Sequence, residues 1–246
     1  MSKKIGTFIF VHDQEIVLDF INCEKFQVFE NLTFVFVGNK DTSKIENISN
    51  VVICKNLVYN IEEYPKLTSY TGWYAIWKNE LYKEYDYLNL FEYDVNILEN
   101  FNESQSEVLE SGLVGYIPLS INNSSYIRVK KWSEEIILSI KEKYDTDIYK
   151  LVDNLDKNFN CSITSNHTFS KINFENYMLW VEPLVEDIKD LEMAGHQIER
   201  SISFFYLVNN IEFKILPYVL KHFQFDSHKT QGISQEKFNT NYKKLL

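Results

Sequence analysis

Short apolar runs that alternate with helix-like segments in the first half, and three amphipathic helical stripes in the second, predict an α/β fold with a largely parallel sheet flanked by helices. The strongest single signal is Tyr85-Asp86-Tyr87-Leu88-Asn89-Leu90-Phe91-Glu92-Tyr93-Asp94-Val95, an aromatic and apolar run that reads as a buried strand ending in two carboxylates. No repeat, low-complexity tract or flexible linker divides the 246 residues, so the whole of 1–246 reads as one domain.

The strand candidates come in order as Thr7 to Val11, Leu32 to Val37, Val51 to Cys54 and Tyr87 to Val95, each bounded by turn-formers such as His12-Asp13, Gly38-Asn39-Lys40-Asp41 and Asn56. Between the third and fourth, Tyr70, Trp73, Tyr74, Trp77 and Leu81 fall at helical spacing and predict a helix over 68–83 with a wide aromatic stripe. Leu113 to Leu119 is a further strand candidate, followed by an Asn- and Ser-rich loop.

Beyond it the pattern turns helical. Ser133 is placed as an N-cap, with Glu134 and Glu135 in the first turn and Lys141 and Lys143 in the last, the charge order a helix dipole favours. Ile148 to Phe159 gives a second stripe and Phe174 to Ile188 a third, which Pro183 is expected to kink or divide. The Lys-rich end, 235–246, reads as a surface segment.

Composition excludes several function classes. Lys and Arg total 25 against 35 Asp and Glu, a net charge of −10, which opposes a general grip on nucleic acid phosphates. The N-terminal apolar run is too short for a signal peptide, and no stretch reaches the ~20 apolar residues of a membrane span. Cys23, Cys54 and Cys161 are odd in number and widely spaced, so neither a disulfide framework nor a zinc knuckle is indicated and a reducing cytoplasm fits. P-loop, dinucleotide-binding and GxSxG fingerprints are absent.

The candidate chemistry lies at strand ends. A strand alternates its side chains, so Glu92 and Asp94 fall on one face about 7 Å apart at Cα, within reach of one Mg²⁺ or Mn²⁺ or its water shell. In parallel sheets ligands bind at the carboxyl ends of strands, where His12-Asp13 would join them in one crevice. His222 and His228 are late imidazoles able to reach a metal held by carboxylates. Lys78 is a candidate to neutralise a diphosphate. Ala194-Gly195 precede the helical run Ser201 to Val208, which puts Glu199 in a first turn as a candidate general base with His196 beside it. Asn166 and His167 read as a polar loop between helices.

The order of these parts resembles the metal-dependent glycosyltransferases of GT-A fold, particularly bacterial and viral enzymes of polysaccharide biosynthesis. The resemblance rests on an opening strand, an aromatic helix of the type Tyr74-Ala75-Ile76-Trp77-Lys78-Asn79, a DXD-like Glu92-Tyr93-Asp94, and the small-residue, acid-bearing start at Ala194-Gly195-His196 to Glu199-Arg200. It departs from the family in carrying Glu for the first Asp, which leaves Asp94 the better ligand, and in two extra residues between the Gly and the acid.

The resemblance implies a nucleotide-sugar donor bound by residues 1–100, with His12 and Asp13 facing the nucleoside, Lys78 near the diphosphate, and Mn²⁺ or Mg²⁺ held by Asp94 with Glu92, closed by His222 or His228. It implies that residues 101–246 bind a glycan or glycolipid acceptor, through Asn166 and His196, and supply Glu199 as the base of an inverting transfer. The competing readings are a noncatalytic module that binds a sugar or a protein on the same fold, and a metal-dependent phosphotransferase or nucleotidyltransferase. An aromatic-rich surface could also support a homodimer.

Overall fold

A computed structural model describes residues 3–21, 23, 26, 28–29, 31–97, 101, 113–115, 130–153, 164–211, 214–215 and 220–222. The first half builds β1 (Ile5–Val11), α1 (Gln14–Ile21), β2 (Leu32–Phe36), β3 (Val51–Ile53), α2 (Tyr70–Lys78) and β4 (Tyr87–Glu92). Then come β5 (Val95–Ile97), β6 (Leu113–Gly115), α3 (Lys130–Tyr144), α4 (Ile148–Asp153), β7 (His167–Ser170), α5 (Lys171–Ile188), α6 (Ala194–Asn209), β8 (Lys214–Ile215) and β9 (Leu220–His222).

Seven strands form one sheet in the order β3-β2-β1-β4-β7-β6-β8. The first four are parallel, and β7 alone runs against its neighbours β4 and β6. Strands β5 and β9 pair antiparallel in a small second sheet. The sheet is buried on both faces, as parallel sheets require. Along β1 the side chains alternate: Phe8 and Phe10 enter the core shared with α2, α3, α5 and α6, whereas Ile9 and Val11 enter the core shared with α1.

Helix α1 was not expected from the sequence. Asp13 accepts a hydrogen bond from the N–H of Glu15 at 3.0 Å, and Ile16, Val17 and Phe20 are buried on the sheet. Eight residues are too few to hold a helix in isolation, so its stability comes from that burial. Helix α2 is shorter than the expected 68–83 because Glu80 turns left-handed (φ 61°). The N–H of Leu81 then bonds the Ile76 carbonyl, and that of Glu80 the Trp77 carbonyl, which closes the helix in a Schellman motif.

Two other expectations are corrected. Pro183 does not divide its helix, because α5 runs unbroken from Lys171 to Ile188. The carbonyl that loses its partner to Pro183 is that of Leu179, a residue 60% exposed, so water can replace the missing N–H. His167 is not in a loop but opens β7 in the middle of the sheet, fully buried, with its ring Nε2 against the Thr164 carbonyl at 2.9 Å. Burial lowers its pKa to about 3, so the ring is neutral. The polar lattice beside it is closed: Asn89 donates to Thr7 Oγ1 at 3.0 Å and accepts from Thr168 Oγ1 at 2.7 Å.

Candidate active site at the strand ends

Strands β1, β2 and β3 step to one side of the sheet, whereas β4 lies on the other side of β1. That reversal opens a crevice at the carboxyl ends of β1 and β4, where open α/β sheets bind ligands. A pocket of about 290 Å³ lies there. Its walls are Phe10 to His12 at the end of β1, Val37 and Gly38 after β2, Glu62 and Pro65 from the segment before α2, Thr68, Ser69 and Thr71 at the start of α2, and Glu92, Tyr93 and Asp94 at the end of β4.

Glu92 ends β4 opposite Phe10 in the ladder. Its backbone N–H donates to Oδ1 of Asn166 at 2.8 Å, and its carboxylate accepts from the Ser69 hydroxyl at 2.8 Å. Ser69 stands at the N-cap of α2, yet its side chain makes no cap bond; it braces Glu92 instead. Asp94 is 7% exposed and lines the same pocket. The expected pair of carboxylates is therefore brought to one cavity.

His12 also lines the pocket, edge-on to Tyr93 with ring centroids 4.9 Å apart. Burial, reinforced by the Lys40 charge, lowers its pKa below the usual 6.5, while Asp13 and Asp94 pull the other way. Asp13 lies outside the lining; it caps α1 and stands 3.7 Å from Lys40.

Glu62 was not singled out from the sequence. It is 3% exposed, one oxygen accepts from the N–H of Gly38, and its carbonyl accepts from Asn39 Nδ2 at 3.2 Å. Its other oxygen, Oε1, is buried without a hydrogen-bond partner of good geometry, because the Thr71 hydroxyl is turned to the Thr68 carbonyl at 3.0 Å. Burial raises its pKa above the carboxylate norm, with Gly38 and Thr71 opposing the shift and Glu63 adding to it. A buried acceptor of this kind at a pocket wall suits a ligand N–H or O–H.

The acid-bearing helix lies against the pocket wall. A Cβ on Gly195 would stand 2.8 Å from Thr68 Cγ2 and 3.0 Å from the Lys66 carbonyl, so only glycine lets α6 pack this close. The helix begins at Ala194 rather than near Ser201, which moves Glu199 from the first turn into the second. There its carboxylate accepts from Arg200 Nη1 at 3.1 Å and lies 3.4 Å from His196 Nδ1. Arg200 is 4% exposed, bonds the His196 carbonyl at 2.8 Å and lies over the Trp132 ring at 5.3 Å. His196 is half-exposed and Trp132 lies beside its ring.

The remaining candidates are elsewhere or less defined. Lys78 closes the far end of α2, nine residues from Ser69, where it pairs with Glu182 at 2.6 Å and covers the Trp77 ring at 3.9 Å. At about 1.5 Å per residue that end is roughly 10 Å along the helix from Thr71, the last α2 residue of the lining. Asn166 is 1% exposed and is committed to the Glu92 amide. His222 sits opposite Val95, the residue after Asp94, in the β5–β9 ladder, and His228 falls outside the described residues.

Among the described residues no three His, Cys, Asp or Glu side chains gather as a ready metal cage. Two carboxylates in one pocket still fit Mg²⁺ or Mn²⁺, which are commonly bound by one or two carboxylates and completed by substrate phosphates and water.

No protein-family model matches the sequence, and no curated protein matches it. Solved structures do. A bifunctional glycosyltransferase, WbbM, superposes with a TM-score of 0.59 at 13% identity over 89% of this chain. The fold is GT-A-like. The chain spans 45% of the WbbM structure's length. Glucosyl-3-phosphoglycerate synthase from Mycobacterium tuberculosis, solved with Mn²⁺, UDP and glucosyl-3-phosphoglycerate, is similar over 99% of this chain and 77% of its own at 11% identity, with a TM-score of 0.45. The antiparallel strand β7 lies beside β4, and Asn166, the residue before β7, reaches the Glu92 amide across that boundary. Among the described residues no helix is long and apolar enough to cross a membrane.

Proposed function

We propose that the chain is a divalent-metal-dependent glycosyltransferase that moves a sugar from a nucleotide-sugar donor to a glycan or glycolipid acceptor. The observation that carries this reading is the convergence of Glu92, Asp94, His12 and Glu62 on one pocket at the switch point of a GT-A-like sheet.

The nucleoside would enter between Gly38 and the His12–Tyr93 wall. Neutral His12 and the Tyr93 ring offer an apolar face, while Glu62 Oε1 takes a hydrogen from a ring N–H or a ribose hydroxyl. Asp94, with Glu92 beside it, would hold a Mg²⁺ or Mn²⁺ whose charge makes the nucleoside diphosphate a competent leaving group. Ser69 and Asn166 hold Glu92 from its side-chain and backbone ends, so its carboxylate is preorganised.

Glu199 would accept the proton of the acceptor hydroxyl as that oxygen bonds to the anomeric carbon and the bond to the phosphate oxygen breaks, a single displacement that inverts configuration. The Arg200 guanidinium donates to one Glu199 oxygen at 3.1 Å, which orients the carboxylate and leaves that oxygen already engaged. That ion pair supports a second reading, a module that binds the donor on the same fold without transferring it. Buried free thiols at Cys23 and Cys54 suit a reducing compartment.

Thermal unfolding of the full chain with UDP, GDP, CDP and ADP, each with and without Mn²⁺, tests the donor site. One nucleotide is expected to raise the unfolding temperature in a Mn²⁺-dependent way. No shift with any of the four contradicts the reading. A shift without sugar transfer to any acceptor supports the noncatalytic module.

A further inference from the structure

Thr68 has φ 54° and ψ −129°, the backbone of the first central residue of a type II′ turn, a place where glycine dominates. For a β-branched side chain this is a true outlier, and such strain persists only where the surroundings impose it. The neighbour packed against its side chain is Gly195. A Cβ there would meet Thr68 Cγ2 at 2.8 Å and Oγ1 at 2.9 Å. The chain thus places a threonine where glycine would be unstrained, and a glycine where the threonine needs room.

What the strained turn does is visible one residue on. It lets the chain leave the Pro65–Leu67 turn, whose carbonyl at Pro65 accepts the Thr68 N–H at 3.2 Å, and enter α2 with Ser69 already helical (φ −61°, ψ −20°). An N-cap serine is ordinarily extended and bonds its own helix. Ser69 does neither, and its hydroxyl goes to Glu92.

We infer that Thr68 is a positioning residue: clamped against Gly195 of α6, it fixes Ser69 on Glu92 and so couples the helix that carries Glu199 to the strand end that carries the carboxylate pair. The inference rests on the donor-site reading above. The clamp joins two parts of one site, because Thr68 lines the pocket and Gly195 stands about one helical turn before Glu199.

The test uses the full chain and whichever of UDP, GDP, CDP and ADP stabilises the wild type with Mn²⁺. Thr68→Gly removes the strain and the clamp together. It is expected to keep or raise the unfolding temperature of the unliganded protein while weakening Mn²⁺-dependent nucleotide binding by about tenfold, the scale of one lost hydrogen bond to a charged group. Gly195→Ala is expected to lower both stability and affinity. In the double variant stability recovers in part, because the two Thr68 contacts are gone while the Lys66 carbonyl still stands 3.0 Å from the added methyl, and affinity does not recover.

Opposite signs in stability and affinity are the decisive result, since a merely structural turn would move both together. Parallel losses in Thr68→Gly, or affinity restored in the double variant, would overturn the positioning role while leaving the donor site intact. A wild type that binds none of the four nucleotides would overturn the donor-site reading and the inference with it.

Discussion

Asn166 Oδ1 accepts the backbone N–H of Glu92 at 2.8 Å, so the residue that precedes the reversed strand β7 holds the last residue of β4 in place. Asn166 is 1% exposed, and its loss would leave a peptide N–H without that acceptor at the rim of the pocket. Asn166→Ala is expected to cost about 1–3 kcal/mol of stability. It should also weaken Mn²⁺-dependent nucleotide binding, whereas Asn166→Asp, which keeps the acceptor, retains more of both. Urea unfolding and titration calorimetry on the two variants check this.

Glu62 gives a prediction with a defined pH sign. Burial raises its folded pKa above the ordinary 4.5. Between 4.5 and that raised value the folded chain keeps a proton that the unfolded chain has released, so stability falls as pH rises through the window and is level above it. Glu62→Gln has nothing to titrate there and is expected to gain on the wild type from pH 4.5 upward, as read by urea unfolding across the window.

The same substitution reports on the ligand. The Gln oxygen must stay on the Gly38 N–H, which turns an NH₂ donor toward the pocket where the wild type offers an acceptor. A nucleotide that brings a donor to Glu62 should lose about tenfold in affinity at pH 8. If the loss falls on UDP but not CDP the donor is the base N–H. If both fall and their 2′-deoxy forms do not, it is the ribose hydroxyl.

Lys78 is the contrasting case. Its ammonium is held by Glu182 at 2.6 Å and by the Trp77 face, at the end of α2 remote from the pocket. Both partners are about one-third exposed, so the pair contributes at most about 1 kcal/mol. Lys78→Met is expected to cost no more than that in stability and to leave nucleotide affinity within about twofold. A tenfold loss would place Lys78 at the diphosphate.

How much of this was legible in the sequence depends on how local the signal was. The run Tyr87 to Val95 announced a buried strand because it is apolar and carries acid at its end; the strand stops at Glu92 and Asp94 falls in the turn after it, yet the two do share one pocket. Gly195 was legible as a point of close approach, although what approaches is Thr68 rather than a ligand. Strand β7 was not legible, since His-Thr-Phe-Ser carries three polar residues. His167 and Thr168 are buried there because Thr164 and Asn89 supply partners that only the fold brings near, and Ser170 is half-buried as the cap of α5. Glu80 hid the end of α2, because nothing in a glutamate announces a positive φ. Glu62 was hidden for a similar reason: in Asn-Ile-Glu-Glu-Tyr it looks like a loop carboxylate, and only the fold of that loop onto Gly38 buries it.

The most direct test of the central claim is release of nucleoside diphosphate by wild type and Asp94→Asn, followed with an accepted nucleotide sugar, with Mn²⁺ and with chelator. The account predicts turnover that requires the metal, and a fall of about 10²-fold or more in Asp94→Asn with the fold retained, the scale of removing one group that stabilises transition-state charge. Metal-dependent turnover that survives in Asp94→Asn would contradict the placement of the site at the end of β4.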